Sequence, residues 1–253
     1  MNLSHLSEQL TAQRARIFAN EAMGRRLLVI ERSVLNIFDI YPPGRSEFLT
    51  QDECTDVAIQ LHAFAINVYA VLDNAAWICL LQAGGNLAPM KVGLYKEECK
   101  AFLPPVLNEY IARPAIKKWF NDYGKVYRDS TAHRIPPYLP IRNYTQEEAI
   151  RWQELHKESM AVLFDRKPGH ALAQVNERLA KHRQLESEKD QLGCNSLLVV
   201  LTLTGEDATH PVLLHPQLLS DWGLVQEFVQ AFAQAMRQQY GWESPVIPPM
   251  VVN

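Results

Sequence analysis

The stretch AFAINVYAVLDNAAWICLL, Ala63 to Leu81, decides the fold of this chain. Its apolar side chains belong to a segment that begins near Asp52 and stops at the paired glycines and proline of QAGGNLAP. They step by three or four residues, which puts them on one face of a long helix that has to pack against other elements. The members of this stripe are Val57, Leu61, Phe64, Val68, Leu72, Ala75 and Cys79.

Helical spacing continues on both sides of this segment, so residues 1–190 are predicted to form a helical bundle. Thr145 and Glu148 have the spacing of a capping box, and Pro136 ends the helix that precedes it. One predicted helix runs from Ser4 to Phe38 with a break near Asn20 to Gly24, and a short one lies around Lys96 to Leu103. The helix that ends at His133 or Arg134 begins either before Pro114 or at Pro114, and the last runs from about Thr145 to Glu188 with a kink or split at Lys167 to Gly169.

Residues 191–253 change character and are predicted to form a β-hairpin and a final helix, packed on the same domain. CNSLLVVLTLT, Cys194 to Thr204, is apolar and β-branched, GED makes a turn, and HPVLLH follows. The final helix is predicted from about Pro216 to Tyr240, with an extended end after it. The predicted fold class is mainly α, an antiparallel bundle of four or five helices with this hairpin and helix appended.

Composition is that of an ordinary soluble globular protein, with 253 residues, 47 % hydrophobic and 21 % charged. The first residues, MNLSHLSEQLTAQRARIF, lack the apolar core of a signal peptide, and no apolar run approaches the roughly 20 residues that span a bilayer. We therefore expect a cytoplasmic protein that does not enter a membrane. The four cysteines, which are scattered and have no zinc-type or disulfide-framework spacing, are Cys54, Cys79, Cys99 and Cys194.

Charge is unevenly distributed along the chain. Between Arg113 and Arg142 there are seven basic and two acidic residues, a local charge of +5, although the whole chain carries −3. A basic patch in an acidic protein can attract a ligand that bears phosphate. A solvated helix face explains the same run of charges, so charge alone leaves both interpretations open.

The sequence YRDSTAHRIPPYLP, Tyr127 to Pro140, carries the chemistry. Arg128 offers a planar fork suited to phosphate oxygens, and the imidazole of His133 can accept or donate a proton. On a helix these two residues differ by about 140° in direction, whereas Asp129 and His133 share a face. Asp129 is therefore predicted to fix the tautomer of His133. A base, a cation and an acid are sufficient to cleave RNA without a metal, so no metal ion and no cofactor is expected.

The spacing RDSTAH resembles the R-x(4–6)-H motif of the HEPN superfamily, which commonly has a polar residue after the arginine and lies near the end of a bundle helix. AFAINVYAVLDNAAWICLL is similar to the helix that precedes the motif in bacterial HEPN-like proteins. The resemblance covers residues 20–165. It implies a homodimer whose two motifs meet in one metal-independent endoribonuclease site, and many members of the family act as toxins or in defence against phage.

The resemblance implies site residues one by one. Arg128 and His133 carry over as the catalytic pair, with Asp129 as the polar residue of the motif. Their basic neighbours are predicted to bind substrate. Independently of the resemblance, the two polar residues in the middle of the core helix, where short polar side chains are disfavoured, either face the motif helix and support it or are exposed or hydrogen-bonded in the core. These neighbours and supporting residues are Lys125, Arg134, Asp73 and Asn74.

Three other interpretations of the motif stay open. Arg128 can be a surface ion-pair partner, with His133 as a cap on the last carbonyls of its helix. The bundle can also be non-catalytic and bind a nucleotide, RNA or a protein partner through the same cleft. The third interpretation is a toxin controlled by a nucleotidyltransferase that modifies a tyrosine. Family members of that kind place the tyrosine two residues after the histidine, whereas this chain has Ile135 there.

Overall fold

The computed structural model describes residues 3–164, 172–201 and 211–243 of the chain. These described residues are mainly helical, 75 % of them in helices, with a small sheet region. The predicted mainly α class is confirmed. Three predicted features lie outside the described residues, namely the kink at Lys167 to Gly169, the GED turn and the extended C-terminal end.

The helices have clear bounds. Two π-helical turns, Phe18–Gly24 and Phe120–Gly124, continue one α-helix into the next, and a 3₁₀ turn spans Glu97–Phe102 within the predicted short piece. In chain order the α-helices are α1 Leu3–Gln9, α2 Gln13–Ile17, α3 Arg25–Ile40, α4 Gln51–Gln82, α5 Pro105–Ala112, α6 Pro114–Trp119, α7 Lys125–His133, α8 Gln146–Phe164, α9 Leu172–Asp190 and α10 Leu214–Tyr240.

In the described parts of the chain, four short strands form two antiparallel pairs. β1 (Arg142–Asn143) pairs with β2 (Cys194–Asn195), and β3 (Leu198–Val199) pairs with β4 (Val212–Leu213). The predicted hairpin is confirmed where β3 pairs with β4. Its first two residues pair elsewhere, because β2 takes β1 as its partner.

The N-terminal helix is interrupted at a different place from the one predicted. The chain leaves the helix at residues 10–12, whereas Phe18–Gly24 stays helical as a π-turn. The side chain of Gln82 explains why the helix is interrupted at residues 10–12, because its Oε1 accepts hydrogen bonds from the amides of Thr11 and Ala12 at 3.1 Å each. These amides have no partner inside α2, so a side chain from another helix satisfies them.

The sequence pattern does not predict α5 as a separate helix. This helix starts with Pro105 in its first turn, directly after Pro104. Proline is favoured at that position because its missing N–H would have no intrahelical partner there, so a proline pair that suggests a break can equally begin a helix.

Contacts divide the chain into two compact units. The first consists of residues 1–43, 55–139 and 198–253, and the second consists of residues 44–54 and 140–197. All of the predicted site residues lie in the first unit.

The core of the first unit is built around α4 and α10. From Val57 to Leu80, α4 buries side chains on most of its circumference. α10 meets it where the Sγ of Cys79 lies 3.7 Å from the Sδ of Met236, and Phe228 of α10 packs on Tyr110 of α5 with ring centroids 6.3 Å apart. Burial of this apolar surface supplies the main stabilising free energy of the unit.

Helix α4 is long and apolar enough to cross a membrane, with a mean hydropathy of 1.6 over its most apolar window. That window is 61 % buried inside the protein. The core helix of a soluble protein meets the same length and composition criteria. The sequence of α4 is therefore weak support for a membrane segment.

The end of α7 is held by the residues that follow it. The helix ends at His133, and the carbonyl of Pro137 lies 2.8 Å from Nε2 of His62 on α4. Tyr138 and Val200 then exchange two backbone hydrogen bonds, of 2.9 and 3.1 Å. The proline segment is thus fixed at two points, which keeps the last turn of α7 in place.

The second unit is dominated by the hairpin of α8 and α9. The predicted capping box is present, with the amide of Thr145 donating to Glu148 at 2.8 Å and the amide of Glu148 donating to the Thr145 hydroxyl at 3.2 Å. Between the helices, the fully buried hydroxyl of Ser159 contacts Nδ1 of His182 at 2.8 Å and donates to Glu186. Because this hydroxyl is closed to solvent and both of its neighbours are bonded to it, the cluster fixes helix packing and offers no nucleophile.

Two neighbouring leucines of α10 test this packing. Leu218 is 1 % exposed and Leu219 is 54 % exposed. Leu218→Ala is expected to lower the free energy of unfolding by about 2–5 kcal/mol, because it leaves a cavity in the core. Leu219→Ala is expected to change it by less than about 0.5 kcal/mol. Urea denaturation followed by circular dichroism measures both, and equal losses would mean that α10 packs through a different face.

Candidate functional site

Helix α7 carries most of the predicted site residues and gives them different environments. Lys125 begins the helix and is exposed, and the side chains of Arg128 and Asp129 are 37 % and 34 % exposed. His133 is the last helical residue, and Arg134 follows it; both are exposed. The motif therefore has one half-buried part and one part open to solvent.

The half-buried part fixes the direction of a guanidinium group. Nη1 of Arg128 donates to Oδ1 of Asp129 at 2.8 Å, and the guanidinium carbon lies 5.2 Å from the ring centre of Tyr69 on α4. The hydrogen bond with Asp129 raises the pKa of Arg128, so the cation is stabilised in place. A charge-assisted bond and a cation–π contact together limit the freedom of a long side chain.

The open part is the imidazole of His133. It makes no hydrogen bond and no ion pair with the described residues, and the Asp129 carboxylate that shares its face is bonded to Arg128. The last turn of α7 is closed by the backbone, where the amide of Arg134 donates to the carbonyl of Ser130 at 3.0 Å. Both imidazole nitrogens are therefore available to a ligand.

Half of the six basic side chains between Arg113 and Arg134 have acidic partners. Those partners are Glu227, Asp122 and Asp129. An ion pair reduces the field that a phosphate group would feel. The cations that form no ion pair with the described residues are Lys117, Lys125 and Arg134.

A polar cavity of about 150 Å³ opens beside the start of α7. Its walls come from α4, from the connector that contains Gly93, and from the segment that leads into α7. They combine aromatic rings with charged side chains of both signs. The polar and aromatic residues of the wall are Tyr69, Tyr95, Phe120, Asp73, Lys96 and Lys125.

Asp73 is a strongly perturbed group of the cavity. Burial raises the pKa of its carboxyl to about 6, although the positive charges of Arg128, Arg26 and Lys96 act in the opposite direction. The carboxylate makes no hydrogen bond and no ion pair with the described residues. A carboxyl that titrates near pH 6 and faces a cavity without a partner can bind a hydrogen-bond donor or exchange a proton.

Asp73 and Asn74 were predicted to support the motif together, and the structure gives them separate neighbours. Asp73 lines the cavity, and it lies close enough to Arg128 for each charge to shift the pKa of the other group. Asn74 is 7 % exposed, and its Oδ1 accepts from Nε of Arg26 on α3 at 3.1 Å. Successive residues on a helix differ by about 100° in direction, which explains the separation.

The cavity contains residues that the motif does not identify. Tyr69 precedes Asp73 by four residues, so helical spacing alone predicts that the two side chains share a face of α4. Lys96 directly precedes the 3₁₀ turn Glu97–Phe102, and local spacing there does not show that it shares a cavity with Asp73 of α4. Among the described residues, no group of three or more His, Cys, Asp or Glu side chains is arranged to hold a metal ion.

Asp73→Asn tests the burial of the carboxyl through the pH dependence of stability. The folded-state pKa of about 6 lies above the roughly 3.9 of an unfolded chain, so the folded state binds more protons between these values and loses stability as pH rises through 6. A permanently neutral Asn avoids this loss. Between pH 4.5 and 7.5 the free energy of unfolding of the variant is expected to rise by about 1–2 kcal/mol relative to wild type. This is less than the full pKa shift would give, because the carboxyl borders solvent.

The measurement is urea denaturation of both proteins at the two pH values. Asp122→Asn is the matched control, since Asp122 is an exposed carboxylate that pairs only with Lys118 among the described residues. The difference in free energy of unfolding between Asp122→Asn and wild type is expected to change by less than about 0.5 kcal/mol between the two pH values. A pH-independent difference for Asp73→Asn would contradict the raised pKa.

Comparison of the chain with protein-family models, curated proteins and solved structures found no match. Membership of the HEPN superfamily therefore stays a prediction, which depends on the residues of the motif and of α4.

Proposed function

We propose that the protein is a metal-independent endoribonuclease of HEPN type that works as a homodimer. The observation that carries the proposal is the contrast within one motif: Arg128 is fixed by Asp129 and Tyr69, and His133 is exposed without a partner among the described residues. These are the properties that phosphodiester cleavage requires, a directed cation and an available base.

The proposed mechanism gives each side chain one role. His133 accepts the proton of the ribose 2′-hydroxyl, whose oxygen attacks the adjacent phosphorus. Arg128 stabilises the additional negative charge on the phosphorane. The bond to the 5′-oxygen then breaks, that oxygen takes up a proton, and a 2′,3′-cyclic phosphate remains. Lys125 and Arg134 bind the neighbouring phosphates of the substrate.

A homodimer resolves a geometric problem of the single motif. Arg128 and His133 differ by about 140° in direction and by about 7.5 Å along the axis of α7, so one copy does not aim both at the same phosphorus. Two copies that face each other supply an arginine and a histidine from opposite sides. We propose a cytoplasmic location, which the four free cysteines favour, and a role as a toxin or in defence.

A second candidate function is favoured by the cavity at Asp73. A non-catalytic bundle that binds a nucleotide, RNA or a protein partner would need a recognition site and no base. The polar cavity with aromatic walls is such a site. The two candidates differ in one measurable property, cleavage.

The ribonuclease proposal predicts that His133→Ala and Arg128→Ala each abolish cleavage of a mixed labelled RNA in excess EDTA. Wild type is expected to leave 2′,3′-cyclic phosphate ends. Both variants are expected to stay within about 1 kcal/mol of wild-type stability, because neither side chain is in the core. Arg32→Ala, which removes an exposed arginine of α3, is the control and is expected to cleave like wild type.

Two results would contradict this proposal. Equal cleavage by wild type and His133→Ala would exclude the histidine as the base. A mass of 28.9 kDa in light scattering, at concentrations where cleavage is observed, would exclude the homodimer.

A further inference from the structure

The cavity beside α7 is sized for one ring system. Its volume of about 150 Å³ is several times the roughly 30 Å³ that a water molecule occupies in the liquid and is below the 300–1,000 Å³ of sites for drug-sized ligands. Three aromatic rings form a continuous wall, since Phe120 lies 3.9 Å from Tyr95 and 5.6 Å from Tyr69, measured between ring centroids. Because Tyr95 packs on Phe120 and Arg128 lies over Tyr69, these rings give the cavity an apolar side against which a flat base fits and are not open stacking platforms.

Glycine at position 93 keeps the carboxylate of Asp73 accessible. A Cβ at that position would lie 3.4 Å from Oδ1 of Asp73 and 3.2 Å from Cγ of Lys96. Any larger side chain would fill the space in front of the carboxylate. The oxygens of Asp73 therefore border free volume and have no donor among the described residues.

Cations surround the opening of the cavity. Lys96 and Lys125 are exposed and form no ion pair with the described residues. Arg128 follows Lys125 by three residues, so both project on one side of α7, and its guanidinium lies over Tyr69, a ring of the cavity wall. A base held in the cavity would place its phosphate among these cations, next to the arginine of the motif.

We propose that this cavity is a nucleobase subsite that selects guanine in single-stranded RNA through the carboxylate of Asp73. The inference depends on the proposed RNA-directed function for its biological role. An ionised carboxylate only accepts hydrogen bonds, through two oxygens. Guanine is the base whose Watson–Crick edge presents two adjacent donors, N1–H and the N2 amino group. The other bases place a carbonyl or ring nitrogen beside their donor, which the carboxylate repels.

The charge of Asp73 is consistent with this selection. Burial raises the pKa of the carboxyl to about 6, so the group is mostly ionised in the empty cavity at pH 7.5 and is neutralised below pH 6. Besides Asp73, the charged groups that act on this site are Arg26, Lys96, Lys125, Arg128 and Asp129, and the other titratable groups beside it are Tyr69, Tyr95 and Cys99. Guanine binding is therefore expected to weaken as pH falls from 7.5 to 5.

The test is calorimetric titration of the full chain at pH 7.5 with the 3′-monophosphates of guanosine, adenosine, cytidine and uridine. Guanosine 3′-monophosphate is expected to bind at least tenfold more tightly than the other three. Asp73→Asn is expected to weaken guanine binding at least tenfold without loss of folding, and Asp122→Asn is expected to bind like wild type. Equal binding of the four nucleotides, no binding of any at millimolar concentration, or an unchanged Asp73→Asn variant would overturn the proposal.

A second arm separates RNA from free nucleotide as the source of the base. A labelled oligouridine hexamer with one guanine is titrated by fluorescence anisotropy beside the all-uridine hexamer. Tighter binding of the guanine hexamer, lost in Asp73→Asn, supports the RNA subsite. Binding of guanosine 3′-monophosphate without any preference between the hexamers would overturn it and assign the cavity to free nucleotides.

Both arms measure binding and need no cleavage, so they are independent of the ribonuclease proposal. Guanine-selective binding by a protein that does not cut RNA would leave the subsite standing and refute the enzyme. Cleavage without base preference, by a protein that binds no nucleotide selectively, would support the enzyme and refute the guanine subsite.

Discussion

The burial of α4 is the constraint on which the candidate site depends. Because apolar side chains cover most of its circumference, other helices must surround it, and its polar residues can only lie where a partner or a cavity accepts them. His62 meets the carbonyl of Pro137, Tyr69 supports Arg128, and Asp73 faces the polar cavity. One core helix thus holds the end of α7, orients the motif arginine and forms the wall beside it.

The two halves of the motif illustrate how a protein can hold one group and leave another free. The guanidinium of Arg128 loses freedom to Asp129 and to the ring of Tyr69, so its cost of ordering is met on folding and not on ligand binding. His133 owes its position to the backbone alone, through the closed last turn and the fixed proline segment. Its imidazole makes no hydrogen bond with the described residues, so both ring nitrogens are available to a ligand.

Particular elements show how far sequence pattern reaches. The stripe from Val57 to Cys79 predicts α4 correctly, since every signal it needs lies within one segment. The end of α7 at His133 and the capping box of Thr145 and Glu148 follow equally from local rules. The break in the N-terminal helix is misplaced because the side chain that decides it, Gln82, lies 70 residues away. The pairing of β2 with β1 was not predicted for the same reason, since the two strands are distant in sequence.

By itself the sequence determined the helical class, the long core helix, the position of Arg128 and His133 at the end of a helix, and the basic character of that segment. These properties depend on the period of the backbone and on residues a few positions apart. Only the tertiary structure decided that Asp129 bonds Arg128, that Asn74 belongs with Arg26, and that Asp73 shares a cavity with Lys96 and Tyr95. Helical spacing sets the direction of a side chain, but its partner, its burial and hence its pKa depend on which distant segments the fold brings beside it.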